Sequence, residues 1–311
     1  MFGLIPRAVW QRTAPIDDKG RLLVQHNCLL LEWDGPIPTG DAKLAGGVPR
    51  RVLLEAGTGD KLDAKNREIF AMEDRSILDA LREKNIAPES IDLVLVTHLH
   101  FDHAGGLTRM PRAGETPDWT GPASSFGSSR GDHGVNRTFP NARVVVQERE
   151  WRDALANRSV MTRTYFRDHL EAIESQLVLV DSPRPFAPGT TPDRDTLPLA
   201  PAELRRTPIA PDLDVMLVPG HTWGQQAMLF TDSRGRTVVF TPDVMPTSHH
   251  LGAAYSLAYD VEPYTSMISK RWLLDAAATH DWLLVLDHEA GHPVRRVKHD
   301  GKGWFTLEEA E

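Results

Sequence analysis

With 311 residues, of which 41% are hydrophobic and 25% charged, and a formal net charge of −8, the chain has the composition of a globular protein rather than a disordered or fibrous one. The charge disfavours a nucleic-acid partner, no apolar run reaches the ~18 residues of a membrane span, and the first residues do not resemble a secretory signal, so we expect a cytoplasmic protein. Because Cys28 is the only cysteine, a metal site here must use His and carboxylate ligands.

The first third of the chain predicts strands and a helix that lead to one buried strand. Segments rich in β-branched and apolar residues predict strands at 21–33 and 50–55, and helical spacing of apolar residues predicts a helix over 61–85. The apolar run 91–96 predicts a buried strand, which ends just before the motif His98-Leu99-His100-Phe101-Asp102-His103. Strand ends are where α/β folds commonly place their functional side chains.

The middle of the chain contains two segments poor in regular patterns. The stretch 110–140 is rich in Gly, Ser and Pro, and a loop of that length is uncommon unless it covers a site or is disordered, so we expect it to cover the substrate site. A strand at 141–147, a helix at 148–157 and an amphipathic stretch at 162–174 follow. Residues 182–211 hold eight prolines and predict a connection rather than a helix or a central strand.

The last third of the chain returns at once to regular patterns. Its predicted elements are strands at 213–218, 225–231 and 237–241, a helix at 266–278 and a strand at 282–286. Because strands resume directly after the proline-rich connection and no internal repeat is visible, we expect a single domain over 1–311.

The spacing of His98, His100, Asp102 and His103 is typical of a metal site. Alternate residues of an extended chain point to the same side, so the first two imidazoles can bind one cation, and the turn can bring the other two side chains to a second cation. Zinc takes about four ligands, and two ions need more than this segment offers. Three polar residues that directly follow apolar strands can supply the rest: His221, Asp243 and His288. For the last ligand, His280 and His292 are alternatives that do not follow a strand.

The motif at 98–103, Gly220-His221-Thr222, the strand-end Asp243 and the late His288 together resemble the metallo-β-lactamase superfamily over about residues 27–288. The resemblance implies an α/β fold, a four-layer αββα sandwich, with metals in a cleft at one sheet edge. It also implies the ligand sets: His98, His100 and His221 for one metal, Asp102, His103 and His288 for the second, and Asp243 as the bridge between them.

Within that superfamily, the residues at 97–106 are similar to the quorum-quenching branch, the N-acyl-homoserine lactonases. Shorter similarities lie at 59–62, at 139–142 with 150–151, and at 243–247. The chain departs from the superfamily at Glu55, which stands where an Asp is usual, so a longer side chain replaces the carboxylate that orients a ligand histidine in the family.

The resemblance implies that two divalent ions activate a bridging water as hydroxide, which attacks a lactone carbonyl. Asp102 would shuttle the proton or serve only as a ligand. Zinc is the expected metal, and iron, manganese and cobalt suit the same ligands. Core packing or a solvated loop is the alternative for every residue that we expect at the substrate: Phe101, Trp119, Phe126, Met245, His249, His250, Tyr255 and Tyr259.

The expected partner is a small-molecule substrate with an apolar acyl portion, with no nucleic acid and no membrane, and a homodimer stays open. Other ester or thioester hydrolysis is the main alternative, and phosphodiester cleavage a weaker one. A β-lactamase is normally exported, and a flavin-linked di-iron oxygen reductase would carry Glu at position 100 and a flavodoxin domain. A scaffold without catalysis is disfavoured because a structural zinc site is normally closed by four ligands.

Overall fold

The computed structural model describes residues 1–33, 49–122, 132–158, 164–187, 190 and 205–311. The chain forms two compact units, of which unit 1 comprises Met1–Asn27 with Asp181–Glu311 and unit 2 comprises Cys28–Val180. The single domain over 1–311 stays a prediction. None of the helices in the described ranges is long and apolar enough to cross a membrane.

The described chain contains seven α-helices and fifteen strands. The helices are α1 (Arg7–Trp10), α2 (Ala64–Phe70), α3 (Ile77–Glu83), α4 (Phe101–Ala104), α5 (Glu148–Leu155), α6 (Arg167–Leu170) and α7 (Pro263–Thr279). The strands are β1 (Leu29–Glu32), β2 (Arg51–Leu54), β3 (Leu93–Leu95), β4 (Thr108–Arg109), β5 (Trp119–Pro122), β6 (Asp132–Arg137), β7 (Arg143–Gln147), β8 (Leu177–Val180), β9 (Arg206–Ala210), β10 (Leu213–Leu217), β11 (Gln226–Thr231), β12 (Thr237–Thr241), β13 (Leu283–Leu286), β14 (Val294–His299) and β15 (Phe305–Glu309).

Unit 2 is built on a five-stranded sheet in the order β1-β2-β3-β7-β8. Strands β2, β3, β7 and β8 are parallel to one another, and β1 pairs antiparallel with β2. Parallel strands are usually buried on both faces, and every residue of β3 is buried. Helices α3 and α5 pack on one face, where the core includes Ile77, Leu81, Leu53, Val94, Val144, Trp151 and Ala154. The residues that follow the carboxyl end of β3 are therefore attached to a buried strand.

The helix predicted over 61–85 is wrong as one element, because the structure breaks it into α2 and α3. Helix α2 ends at Ala71, whose left-handed backbone (φ 51°) stops it. A second helix then begins at Ser76, whose N–H donates to the Asp79 carboxylate at 2.8 Å in a capping box. The spacing of apolar residues continues across the break, so periodicity alone does not reveal it.

The stretch 110–140 contains more regular structure than the sequence predicts. Strands β5 and β6 fall within it and pair antiparallel, and β6 also pairs with β4, which gives a three-stranded sheet in the order β4-β6-β5. Residues 123–131, which include Phe126, lie outside the described residues. That this stretch covers a site stays a prediction.

Unit 1 is built on a seven-stranded sheet in the order β15-β14-β13-β12-β11-β10-β9. Its neighbours are antiparallel except β12 and β13, which are parallel and joined through α7, as a parallel pair requires a crossover connection. Helix α7, with Pro263 at its start, packs on one face of the sheet through Trp272, Leu273, Ala276 and Ala277. Strands β10, β12 and β13 therefore belong to a sheet that is covered by α7 on one face.

Four further regions differ from the sequence predictions or add to them. The proline-rich segment 182–211 includes β9, which is an edge strand and not a central one, and Pro208 is tolerated there for that reason. Strands β14 and β15 are missing from the prediction because their alternating charged residues mask their pattern. The strand predicted at 21–33 is confirmed only over β1, and the stretch 162–174 forms α6 followed by a 3-10 helix at Glu171–Gln176.

Candidate metal centre

The candidate ligands of unit 2, His98, His100, Asp102 and His103, form what we term the contiguous cluster. They follow β3 directly, and the last two lie on the single turn of α4. The rings of His98 and His100 have centroids 4.5 Å apart, and those of His98 and His103 are 4.0 Å apart. All three imidazoles are buried. Unit 2 thus brings three histidine rings together at one strand end.

Acceptors from elsewhere in unit 2 fix the backbone of the contiguous cluster. Each of three N–H groups in this stretch donates to an oxygen that is distant in sequence. The pairs are Thr97 N to Glu55 Oε1 at 2.6 Å, Leu99 N to Glu150 Oε1 at 2.9 Å and Phe101 N to the Thr164 carbonyl at 2.9 Å. The turn is therefore held through its main chain as much as through its side chains.

Glu55 lies behind the contiguous cluster. Its second carboxylate oxygen is 3.3 Å from Nδ1 of His103, and the side chain is buried. Its backbone is left-handed, with φ of 71°, which costs a non-glycine residue on the order of 1 kcal/mol. The Glu55 side chain thus accepts a hydrogen bond from Thr97 N–H through one oxygen and approaches the His103 ring with the other.

Asp102 differs from the other members of the contiguous cluster by its exposure. Its side chain is 26% exposed, whereas that of His103 is 2% exposed, and its Oδ1 lies 3.9 Å from His103 Nε2. A carboxylate that reaches solvent can exchange protons with water as well as bind a cation. Both roles that the sequence leaves open for Asp102 are compatible with this position.

The candidate ligands of unit 1, His221, Asp243 and His288, form what we term the dispersed cluster. They follow β10, β12 and β13, respectively, and are buried. Nε2 of His221 lies 3.1 Å from Asp243 Oδ2, and Nε2 of His288 lies 3.2 Å from Asp243 Oδ1. The carboxylate therefore turns one oxygen towards each imidazole.

The far side of each imidazole in the dispersed cluster meets an oxygen. Nδ1 of His221 is 2.9 Å from Asp260 Oδ1, and Nδ1 of His288 is 2.8 Å from the Gln25 carbonyl. A ligand histidine normally donates one ring N–H to such an oxygen and turns the other nitrogen towards the metal. The buried donors of both clusters thus have the chemistry and the support that a divalent ion requires.

Gly220 allows the chain to place His221 at the end of β10. A Cβ atom at this position would lie 2.3 Å from the backbone nitrogen of Ser266, and the φ of Gly220 is +139°. Only glycine permits this approach without moving α7. The Gly-His-Thr motif therefore requires glycine at position 220 for steric reasons.

Two acidic residues near the dispersed cluster escape sequence reasoning. One donor atom each of Asp243, Asp287 and His288 lie within 4.8 Å of one another, and Asp287 is buried. Asp287 directly precedes His288 at the same strand end, which is a signal that could have been used. Asp260, which supports His221, lies in a loop 39 residues later and has no such signal.

Two residues expected at the substrate lie in the described part of unit 2. Phe101 stacks on Phe70 with ring centroids 5.9 Å apart, and it lies between two members of the contiguous cluster. Trp119 is half-buried and its ring covers Gly121. Phe126 lies outside the described residues.

The residues expected at the substrate in unit 1 have different surroundings. Tyr259 packs edge-on against His221, with ring centroids 5.6 Å apart, so it is next to a candidate ligand. Tyr255 packs edge-on against Phe2 at 5.7 Å. Met245 is fully buried in the core beside α7, which favours packing as its role.

His249 and His250 lie on a 3-10 turn, Ser248–His250, and have unequal environments. His250 is fully buried and stacks on Phe2 at 4.5 Å. Burial and the nearby Lys270 ammonium hold the pKa of His250 well below its usual value. His249 is half-buried.

Among the described residues, each unit contains one buried lysine, which donates hydrogen bonds to backbone carbonyls near a cluster. Lys61 donates to the carbonyls of Gly105 and Thr108, both at 2.5 Å, and Lys270 donates to those of His250 and Tyr255, both at 2.7 Å. Burial lowers the pKa of Lys61 to about 8 and that of Lys270 to about 7.

A family model described as the metallo-beta-lactamase superfamily matches residues 50–288. Among solved structures, the chain is similar to a probable metal-dependent hydrolase from Staphylococcus aureus, with 21% identity, a TM-score of 0.71 and coverage of 100% of this chain and 91% of that chain. It is also similar to AidC, described as a dizinc quorum-quenching lactonase, with 14% identity, a TM-score of 0.58 and coverage of 92% of both chains.

A further similar structure is that of an N-acyl homoserine lactone hydrolase with the product N-hexanoyl-L-homoserine at its catalytic metal centre. Its identity is 17%, its TM-score 0.54, and the match covers 87% of this chain and 84% of that chain. At these identities the likeness shows the fold. The predicted α/β fold of the metallo-β-lactamase type is therefore confirmed.

Proposed function

This chain belongs to the metallo-β-lactamase superfamily as a metal-dependent hydrolase, and we propose that it opens lactone rings, with N-acyl-homoserine lactones as the substrate class. The observation that carries the proposal is the position of Asp243, with one carboxylate oxygen 3.1 Å from His221 Nε2 and the other 3.2 Å from His288 Nε2. The similarity of residues 97–106 to the lactonase branch supports the choice of substrate.

We propose that the two clusters together hold two divalent ions, zinc first and iron, manganese or cobalt as alternatives. The supporting observation is the donor set, which consists of buried imidazoles and carboxylates in both units. The proposed assignment follows the family motif: His98, His100 and His221 for one ion, Asp102, His103 and His288 for the other, and Asp243 for both.

Bound ions of this kind lower the pKa of a water towards neutrality and polarise a carbonyl. The residues of the chain would then keep the ligands in position and transfer protons. Asp102, the more exposed carboxylate, would accept the proton that water releases, and Glu55 and Asp260 would keep the rings of His103 and His221 in place. A serine or cysteine nucleophile has no part in the proposal.

The proposed partner is a small-molecule substrate with an apolar acyl portion. Phe101 and Tyr259 are the best supported contacts, because each lies beside candidate ligands and packs against another ring. A nucleic-acid partner does not agree with the net charge of −8, and a cytoplasmic location remains part of the proposal.

The test combines elemental analysis of the purified chain with a chromatographic assay on lactones, thioesters and phosphodiesters. We expect about two transition-metal ions per chain and fastest turnover of acyl-homoserine lactones. Less than one ion per chain would overturn the mechanism. Another ester or thioester hydrolase is the second candidate, because the similar Staphylococcus aureus structure is described only as a probable metal-dependent hydrolase, and ester cleavage without ring opening would select it.

A further inference from the structure

Glu150 on α5 and Tyr165, which precedes α6, are joined by a hydrogen bond, and we infer that they are positioning residues that hold the first two histidines of the contiguous cluster in place for a metal ion. The inference rests on the proposed metal-dependent function, because it concerns how the chain orients the ligands of that site. Position 150 lies in one of the shorter similarities to the lactonase branch, but the sequence assigns it no role at the site.

One carboxylate oxygen of Glu150 accepts hydrogen bonds from two other parts of unit 2. Its Oε1 accepts the backbone N–H of Leu99 at 2.9 Å and the hydroxyl of Tyr165 at 3.1 Å. Leu99 is the residue between His98 and His100, so the first hydrogen bond acts on the backbone that joins these two ligands. The positions of both imidazoles therefore depend on where α5 places this oxygen.

Tyr165 also contacts the second of these ligands directly. Its ring and that of His100 have centroids 4.9 Å apart and an interplanar angle of 54°. The carbonyl of Thr164 accepts the N–H of Phe101 at 2.9 Å, so the same segment also holds the backbone that follows His100. Tyr165 thus packs against the His100 ring while Glu150 fixes its hydroxyl.

The burial of this pair needs an explanation beyond packing. Glu150 is fully buried and Tyr165 is 7% exposed. Burying a carboxylate costs free energy unless hydrogen bonds compensate it, and an apolar residue of similar volume is often at least as stable in such a position. Trp151, the next residue of α5, is buried in the core of unit 2 in just this way. The acceptor at position 150 therefore has a specific use, which is to hold the contiguous cluster.

The orientation of an imidazole matters because its ring nitrogen binds a cation only along the direction of its lone pair. The rings of His98 and His100 have centroids 4.5 Å apart, so a small rotation of either changes how their nitrogen atoms converge. Residues that orient such ligands commonly change metal affinity by roughly 10- to 100-fold. Because all four candidate ligands of the contiguous cluster share one turn, a shift of Leu99 would also move Asp102 and His103.

The test measures cobalt binding, because the absorption spectrum of bound Co²⁺ reports the geometry of its ligands as well as its amount. Glu150→Ala removes the shared acceptor, so we expect it to lower the affinity for both ions by roughly 10- to 100-fold and to change the spectrum. Glu150→Gln keeps an oxygen acceptor at the same reach and should stay within about 5-fold of the wild-type affinity. Tyr165→Phe keeps the ring and removes only the hydroxyl, so we expect a loss of roughly 2- to 10-fold.

Asp153→Asn is the matched control for these variants. Asp153 is a second buried carboxylate of α5, and it pairs with Arg149 at 2.6 Å and with Arg158 at 3.5 Å. Its replacement should lower the melting temperature without changing the affinity for cobalt or the cobalt spectrum. The control therefore separates a general loss of stability from a loss of ligand geometry.

Unchanged cobalt affinity and spectrum in Glu150→Ala, equal losses in the Ala and Gln variants, or a changed spectrum in Asp153→Asn would each overturn the inference. If Glu150→Ala does not fold, the contrast between Tyr165→Phe and Asp153→Asn gives the same decision. A wild-type chain that binds no cobalt would overturn the metal-dependent function and the inference with it. A wild-type chain that binds cobalt but opens no lactone loses only its substrate class, and the variants still decide the role of Glu150.

Discussion

Both clusters consist of buried imidazoles and a carboxylate, but the chain supplies these ligands differently in the two units. In the contiguous cluster, four candidate ligands lie within six residues, and hydrogen bonds to the backbone N–H groups of Thr97 and Leu99 hold them as one turn. In the dispersed cluster, three strand ends each supply one ligand, and Asp260 and the Gln25 carbonyl hold two imidazoles individually. A ligand on a shared turn moves with its neighbours, whereas a ligand on its own loop can be lost alone.

The largest expected effects come from the glycines that bring backbones into contact in each unit. A Cβ on Gly106 would lie 2.0 Å from the Ala56 carbonyl oxygen, and a Cβ on Gly220 would lie 2.3 Å from Ser266 N. We expect each Ala variant to lose about 3 kcal/mol of unfolding free energy, because neither contact can yield cheaply. Urea unfolding of the two variants measures this.

Gly235→Ala is the matched control for this pair. Its φ of +77° strains an Ala, but a Cβ there meets nothing within 4 Å, so we expect a loss of only about 1 kcal/mol. The comparison between the clusters adds a second readout: Gly106→Ala should lower the content of both ions, and Gly220→Ala mainly that of one. Equal losses of metal would contradict the difference between a shared turn and separate loops.

The second expected effect concerns a single ligand of the dispersed cluster. His288→Ala should remove mainly one ion and leave about one per chain, because its neighbours in the cluster lie on other strand ends. Elemental analysis of the variant gives the answer, with His292→Ala as the control for the late histidine. If metal content is unchanged in His288→Ala and falls in His292→Ala, we have assigned the wrong residue.

A smaller effect is expected for the group that supports a ligand. Asp260→Ala should lower the affinity of the chain for one ion by roughly 10- to 100-fold, the range typical of residues that orient a metal-bound imidazole. Competition with a metal chelator measures the affinity. Asp281→Ala, which removes an acidic side chain 63% exposed to solvent, is the control. If Asp260→Ala lowers the affinity for both ions equally, the ligands of the dispersed cluster are not independent of one another, which would contradict the contrast with the contiguous cluster.

The smallest effect is a pH dependence carried by the buried lysines. The pKa of Lys61 is about 8 and that of Lys270 about 7, both below the value of an exposed lysine near 10.4. Above the folded pKa and below the unfolded one, the unfolded chain binds more protons, so stability from these residues rises with pH. Below the pKa in the folded state, the cost of burying the charged ammonium lowers the free energy of unfolding in full.

We therefore expect the unfolding free energy of the wild-type chain to rise, relative to Lys61→Met and Lys270→Met, between about pH 7 and pH 10. The rise should begin at lower pH for Lys270 than for Lys61. Denaturant unfolding of the three proteins at several pH values measures these differences. A wild-type advantage that shrinks as pH rises would contradict the burial of both ammonium groups.

Patterns that depend on neighbouring residues could be predicted from the sequence. The buried run before His98 places the contiguous cluster at the end of β3, and similar runs place His221, Asp243 and His288 after β10, β12 and β13. The helix α7 and the strands of the seven-stranded sheet from β10 to β13 follow from the same periodicity.

Features that depend on contacts between distant residues could not be predicted. Asp260 and the Gln25 carbonyl have no motif, because any loop that passes behind a ligand histidine can supply the oxygen. The break between α2 and α3 depends on the left-handed Ala71, and the strand β9 on its position at a sheet edge. Neither leaves a trace in hydrophobic periodicity.

The central claim of the proposed function is that the chain binds two metal ions. Elemental analysis of the purified chain, loaded with zinc and freed of unbound ions, tests it most directly. We predict about two zinc ions per chain, falling to about one in His288→Ala. One ion or fewer per wild-type chain would contradict the claim.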